Sequence, residues 1–192
     1  MGVETQRTRE QLVGDFTELG ERFAALDRNY TREQLLWRPE AAKAWCMAEC
    51  VEHVALANAA YLAKIQPAIS RAHAVAPMSN PLRIGGWLSG LLLKSISPQA
   101  ERKLSAPKKI RPLAVEPSDA FKKLAASHFT IISILETKAQ PDLNRVRFRN
   151  PFIPLIRFTV ASGILIMAAH GRRHLLQAER IREMLEFPRS AA

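Results

Sequence analysis

The apolar residues between about Thr5 and Asp27 recur at alternating steps of four and three. They are Leu12, Phe16, Leu19, Phe23 and Leu26. This spacing places them along one face of a helix, as in the buried seam of a helical bundle. We therefore predict a first bundle helix over residues 5–27.

Three further segments carry helical periodicity, at about residues 46–70, 118–139 and 159–186. The segment 118–139 would be the third bundle helix, and Ser118 at its start is a residue type that favours a helix N-cap. That segment's seam contains Phe121, Leu124, His128, Ile131 and Leu135. We see neither an internal repeat nor the alternation typical of β-strands. The pattern predicts an all-α four-helix bundle that forms one domain over residues 1–192.

Prolines interrupt this pattern between the second and third bundle helices. Seven of the twelve prolines lie within residues 71–117 or just before them. We predict a long, partly helical excursion there, in which "LRIGGWLSGLLLKSI" (82–96) forms a short apolar helix that serves as a lid or a packing insert. An earlier loop, "NYTREQLLWRPEAAKAW" (29–45), is punctuated by Pro39 and is expected to hold one short turn.

Composition adds a strong positive charge to this picture. The chain has 192 residues, a net charge of +10 and a pI of about 10.2, and 47% of its residues are hydrophobic. Such a charge permits binding to nucleic acid, an anionic membrane or acidic ligands. The densest basic runs are "RVRFR" (145–149), "PKKIR" (107–111) and "GRRH" (171–174). They are short and dispersed, so we favour a solvated basic surface over a polyanion site, and nucleic acid is not an expected partner.

The two cysteines and the lengths of the apolar runs indicate the cellular compartment in which the protein is expected. Cys46 and Cys50 lie one helical turn apart and form no disulfide framework, which fits a reducing cytoplasm. "MGVETQRTREQL" at the N-terminus has no apolar signal region. The longest apolar runs, Ile84–Leu93 and Phe158–Ala169, are shorter than the ~20 residues that a membrane span needs. We therefore expect a cytoplasmic protein without a membrane span.

His170 and His174 lie four residues apart in the fourth predicted helix. At about 100° per residue they are about 40° apart around the helix axis. The apolar stripe of that helix, which includes Gly163, Ile166, Met167, Ile181 and Met184, continues their face. We therefore expect both imidazoles to point into the bundle. An unpaired buried polar group costs about 1–3 kcal/mol, and a divalent metal would satisfy both rings, as would hydrogen bonds inside the core.

A third metal ligand would have to come from another helix. His53, two turns into the second helix, is the natural candidate, although a lone histidine there is more often a structural core residue. His128 competes because it lies on the seam of the third helix. His73 lies in the proline-rich excursion and is expected to be solvated.

A wider motif resembles a known family. The pattern W-x3-E-x3-H at Trp45, Glu49 and His53, followed more than a hundred residues later by "AHGRRHLLQAERI", is similar to the DinB-like superfamily, specifically its DinB_2-type members. The resemblance extends to "LLWRPEAAKAWCMAECVEHV", to "APKKIRPLAV" and to the predicted helix start at Thr159. It implies a DinB/YfiT-like metalloenzyme fold, a four-helix bundle in which one histidine of the second helix and an H-x3-H pair of the fourth bind a divalent metal. Carried onto this chain, the implied metal ligands are His53, His170 and His174.

The chain departs from the family pattern at three positions. Cys46 stands where a serine usually caps the second helix, and Ser162 stands where a glutamate often completes a capping box with Thr159. Gly171 follows His170 where a larger residue is usual, and it should weaken the helix by about 1 kcal/mol relative to alanine. None of the three removes a ligand, so they concern helix stability rather than the metal site.

Two residues near His53 have alternative interpretations. Glu49, one turn earlier, is a candidate catalytic general base or support for a metal ligand. The alternative is that its charge stabilises the N-terminus of the second helix. Cys50 is either an extra ligand or redox-sensitive thiol beside the metal, or a small buried hydrophobe; we favour the buried hydrophobe.

Three histidine ligands leave open coordination positions, as in catalytic metal sites. The metal could be Zn, Ni, Fe or Mn.

The superfamily, largely bacterial, includes thiol-dependent S-transferases and isomerases that use bacillithiol, mycothiol or glutathione. The resemblance therefore implies a metal-dependent enzyme acting on a small molecule, with thiol-dependent S-transfer ahead of hydrolysis. A low-molecular-weight thiol would be the second cofactor. Arg172 or Arg173 could contact it, but we favour the alternative that both are surface residues. The alternative is a non-catalytic, stress-related bundle that binds a partner through its basic or apolar surface. A homodimer is also an expectation.

Overall fold

The computed structural model describes residues 4–38, 44–73, 79–98, 100, 105–138, 141–153 and 155–189. Within these ranges six helices account for most of the ordered structure, so the all-α prediction is confirmed. In chain order the elements are β1 (Gln6–Arg7), α1 (Arg9–Asn29), α2 (Arg32–Leu36), α3 (Met47–Ser70), β2 (Leu82–Arg83), α4 (Trp87–Ile96), a 3-10 turn (Lys108–Ile110), α5 (Pro117–Glu136), β3 (Arg147–Arg149), β4 (Arg157–Thr159) and α6 (Val160–Ile181).

The bundle consists of α1, α3, α5 and α6. Helix α3 packs against α5 and α6, and α1 packs against the same two helices from the other side. The apolar seam predicted for the first helix is buried along its whole length. The large side chains that fill the centre are Phe16, Phe23, Met47, Ile65, Leu124, Ile131 and Ile164. Burial of these apolar surfaces is the main force that holds the four helices together.

The first and third bundle helices begin at residues other than the predicted ones. Helix α1 begins at Arg9 rather than near Thr5, because Thr8 forms a capping box with Gln11. Ser118 is not the N-cap of α5, so that prediction was wrong. Glu116 takes the cap position and Pro117 the first helical position, where a missing N–H costs nothing.

Helix α6 ends at Ile181, before the predicted Glu186. The chain then turns through 3-10-type hydrogen bonds, and Phe187 folds back onto the loop after α1. Its ring meets those of Tyr30 and Trp37 edge-on, at centroid distances of 5.8 and 5.5 Å. This contact buries Phe187. If α6 continued as a helix to Glu186, the Phe187 ring would not reach this position.

The excursion between α3 and α5 contains β2, α4 and the 3-10 turn. Helix α4 packs against α6, with Leu93 buried and Trp87 on the outside. Arg173 of α6 donates hydrogen bonds to the carbonyls of Ser97 and Ala100, at 2.8 and 3.4 Å. These bonds attach the end of α4 to the bundle.

The sequence pattern missed two small antiparallel sheets. Strand β1 pairs with β2, and β3 pairs with β4 so that Phe148 lies opposite Phe158. Both phenylalanines are buried, and an added Cβ at Gly163 would lie only 2.9 Å from the Phe148 ring. Glycine at this position therefore allows the β3–β4 hairpin to pack closely on α6.

Candidate metal centre

Three histidines converge where α3 meets α6. His53 projects from α3, and His170 and His174 project from consecutive turns of α6. The Nε2 atoms of His53 and His170 are 3.2 Å apart, and one nitrogen from each of the three rings lies within 4.8 Å of the others. His53 and His174 are buried, and His170 is partly exposed. Among the described residues, this group contains no carboxylate or thiol.

Hydrogen bonds on the outer side of two rings define which nitrogen faces the centre. His53 Nδ1 lies 2.7 Å from the carbonyl oxygen of Ile110, and His174 Nδ1 lies 3.0 Å from Gln177 Oε1. Both oxygens can only accept, so each Nδ1 carries the proton and donates it. In a neutral ring the Nε2 atom then keeps its lone pair. This arrangement of an outer acceptor and an inner lone pair is the one that orients metal-binding histidines.

Burial keeps the three rings neutral. It is the largest cause that lowers the pKa of His174, to about 3, followed by repulsion from the positive charge of a protonated His53. Burial also holds the pKa of His170 well below its ordinary value, followed by repulsion from His174 and His53. The pKa of His53 is lowered by burial, partly offset by its hydrogen bond to Ile110. Near neutral pH the site therefore offers three uncharged imidazoles, the form that binds metals.

Trp45 covers one side of the cluster. Its ring centroid is 4.6 Å from that of His53 and 5.8 Å from that of His174. The indole precedes α3 and restricts the approach of water from this side.

Glu49 lies in the first turn of α3 with both carboxylate oxygens engaged. Oε2 accepts the backbone N–H of Cys46 at 3.0 Å, and Oε1 is 2.6 Å from the Arg38 guanidinium. The contact with Cys46 satisfies a backbone donor at the start of the helix. The role of Glu49 as a general base stays a prediction.

The two cysteines are buried and free. Burial raises the pKa of the Cys50 thiol well above its ordinary value, with a smaller contribution from Cys46. The neutral thiol fits the interpretation of Cys50 as a small buried hydrophobe.

The other histidines lie apart from the cluster. His128 of α5 is buried between Phe16 and Phe23 of α1, at ring centroid distances of 5.5 and 6.4 Å. His73 is exposed beyond the end of α3. Of the candidates for a third ligand, the structure thus brings His53 to the H-x3-H pair.

The basic residues beside the pair are engaged elsewhere. Arg172 lies 2.5 Å from Asp15 of α1, and Arg173 holds the end of the α4 segment. Gly171 faces α1, where an added Cβ would lie 3.3 Å from Leu19. The absence of a side chain at this departure from the family pattern allows the two helices to approach.

Two residues that orient the cluster were missed from the sequence. The Ile110 carbonyl is a backbone group, so no residue type signals it. Gln177 was not predicted to be the partner of His174. Its position three residues later, on the same helical face, is the signal that could have found it.

A helical bundle that gathers three histidines from two helices in this way is compatible with binding a metal ion. The family model DinB_2, described as the DinB superfamily, matches residues 15–178. The chain therefore belongs to the DinB superfamily, which confirms the resemblance seen in the sequence. No curated protein and no solved structure matches the chain significantly. None of the described helices combines the length and hydropathy needed to cross a membrane.

Proposed function

We propose that His53, His170 and His174 bind one divalent metal ion through their Nε2 atoms, and that the protein is a metal-dependent enzyme. The observation that carries this proposal is the convergence of three neutral imidazoles, two of them oriented by acceptors at Nδ1. Two nitrogens that each lie about 2.1 Å from one metal ion are roughly 3 Å apart. The 3.2 Å between His53 and His170 fits this requirement.

The donor set restricts the metal without naming it. Three imidazoles suit Zn, Ni, Fe or Mn, and they leave positions open for a substrate. A bound ion would supply the Lewis acidity that activates a thiol or a water nucleophile. We favour thiol-dependent S-transfer over hydrolysis, with a low-molecular-weight thiol as co-substrate and the cytoplasm as the compartment.

The protein's own groups would orient and shield this chemistry. The Ile110 carbonyl and Gln177 hold two rings in the required tautomer, and Trp45 excludes water from one side. Arg173 keeps the α4 segment against α6, close to the histidine pair. The excursion would then form part of the substrate pocket.

Metal content is the first test. Untagged protein should contain about one metal ion per chain, and His53→Ala, His170→Ala and His174→Ala should each lose it. His73→Ala is the matched control, because that histidine is exposed and apart from the cluster. Equal trace metal in the wild type and all variants would contradict the proposal.

Activity is the second test. Wild-type protein should conjugate one of several low-molecular-weight thiols to a reactive electrophile. The activity should disappear with a chelator and return when metal is added back. Conjugation that persists after chelation would refute the S-transfer assignment while leaving the metal-content result intact.

A further inference from the structure

The β3–β4 hairpin presents an unusually basic outer face. The segment 143–159 contains four arginines and no aspartate or glutamate. Arg147, Arg149 and Arg157 are all exposed, while Phe148 and Phe158 point inward. Within the described residues, none of these three arginines has an ion pair or hydrogen bond. Arg145 is the exception in the segment, since it lies 3.3 Å from Asp142.

The strand register brings two of these charges directly opposite each other. Arg149 pairs with Arg157, and the neighbouring ladder bonds join Asn150 to Ile156 and Val146 to Val160. By the alternation of an antiparallel ladder, the Arg149–Arg157 pair lies at a position without hydrogen bonds, where side chains come closest. Like charges opposite each other destabilise a sheet. An anion bound across the pair would remove this repulsion.

Apolar side chains protrude beside the charges. Leu155, in the loop that connects β3 to β4, is 93% exposed and has a left-handed backbone with φ of 70°. Trp87, at the start of α4, is 76% exposed. Single exposed apolar residues are common on protein surfaces, but these two lie beside three arginines whose side chains have no ion pair among the described residues, so that charge and apolar surface are combined in one region.

Chain contacts connect Trp87 to the hairpin. The Gly85 N–H donates to Ser162 Oγ at 2.8 Å, and an added Cβ at Gly85 would lie 3.1 Å from Thr159. Gly85 is two residues from Trp87, and Thr159 is two residues from Arg157. The basic face and the exposed apolar residues therefore belong to the same region of the molecule.

From this arrangement we infer that the outer face of the β3–β4 hairpin, together with Leu155 and Trp87, docks on an anionic phospholipid bilayer. Arginines would contact the lipid phosphates, while the indole and the leucine would enter the boundary between headgroups and acyl chains. The apolar residues favour a bilayer over nucleic acid, which would leave Leu155 without a favourable environment. This inference does not depend on the proposed metal site.

Vesicle co-sedimentation at low ionic strength tests the charge requirement. Wild-type protein should bind vesicles of phosphatidylcholine mixed with phosphatidylglycerol far better than vesicles of phosphatidylcholine alone. The triple variant Arg147→Gln, Arg149→Gln, Arg157→Gln should lose on the order of 100-fold in partition coefficient, since each arginine near an anionic surface contributes about fivefold. Raising the salt concentration should also weaken the binding of the wild-type protein to these vesicles, because salt screens the attraction between the arginines and the lipid phosphates.

A matched triple variant separates this face from net charge alone. Arg28→Gln, Lys64→Gln, Arg71→Gln removes the same charge from exposed positions outside the hairpin. It should keep most of the binding. Equal loss in the two triple variants, or equal wild-type binding to both vesicle types, would overturn the inference. Circular dichroism and thermal unfolding establish that each variant is folded.

The apolar residues distinguish a bilayer from nucleic acid. Leu155→Ser should weaken vesicle binding by roughly tenfold, the effect of withdrawing one leucine from an apolar medium. The blue shift of tryptophan emission on vesicle binding should disappear in Trp87→Phe. Wild-type retention of duplex DNA without binding to anionic vesicles would refute the bilayer assignment and identify the face as a nucleic-acid surface.

Discussion

His128 offers a test of the bundle's energetics that is independent of the metal site. Its side chain is 4% exposed, and neither ring nitrogen has a hydrogen-bond partner among the described residues. Replacing it with leucine, a side chain of similar volume, removes two desolvated nitrogens from a site between two phenylalanine rings. We expect His128→Leu to be at least as stable as the wild type at pH 7.

The larger effect should appear as the pH is lowered. Burial lowers the pKa of His128 from 6.5 to about 4 in the folded state. Below pH 6.5 the unfolded chain therefore binds a proton that the folded chain does not bind until about pH 4. The contribution of the neutral ring is complete above pH 6.5 and is lost progressively down to pH 4. This difference in proton binding lowers the free energy of unfolding by about 2 kcal/mol by pH 5.

Urea unfolding followed by circular dichroism at pH 7 and pH 5 measures this difference. Both proteins should be free of divalent metal, so that the three clustered histidines titrate equally in each. The free energy of unfolding of the wild type should fall by about 2 kcal/mol more than that of His128→Leu. His73→Gln, which changes an exposed histidine, should behave as the wild type. An identical fall in the wild type and His128→Leu would refute the assignment of His128 as a buried neutral residue.

Three further substitutions test other contacts. Gly163→Ala should destabilise the fold by about 1–2 kcal/mol in thermal unfolding, because the added Cβ would press on Phe148. Adding Phe148→Leu to this variant should restore part of the lost stability. An unchanged melting temperature in Gly163→Ala would contradict the close packing. Leu155→Gly should raise the stability by up to ~1 kcal/mol, since glycine adopts the positive φ without strain; a lower melting temperature would count against this. Gln177→Leu should weaken metal affinity about 10–100-fold in a chelator competition assay by removing the acceptor at His174 Nδ1, and unchanged affinity would show that the contact does not orient the ring.

The helices were predictable because their apolar residues repeat with the helical period. Leu12 through Leu26 form a continuous buried seam, and no other local structure would bury all of them. The helix ends were less predictable, because they depend on single contacts such as the Thr8–Gln11 capping box and the docking of Phe187. Strands of two or three residues carry too little alternation to be recognised.

Helical periodicity alone identified two of the three clustered histidines, and only the family resemblance singled out His53 as the third. The phase of His170 and His174 placed both on the buried stripe of one helix. The choice between His53 and His128 depends on which helix faces α6 at that level, which periodicity does not encode. Both are buried seam residues, yet His128 packs on α1. The Ile110 carbonyl reaches His53 only through the path of the excursion, a tertiary contact.

A crystal structure of the protein grown with a divalent transition metal, with anomalous data collected at that metal's absorption edge, tests the central claim most directly. The account predicts one strong anomalous peak about 2.0–2.2 Å from the Nε2 atoms of His53, His170 and His174, with Ile110 and Gln177 still bonded to Nδ1. A fully occupied peak elsewhere, or coordination through Nδ1, would contradict it.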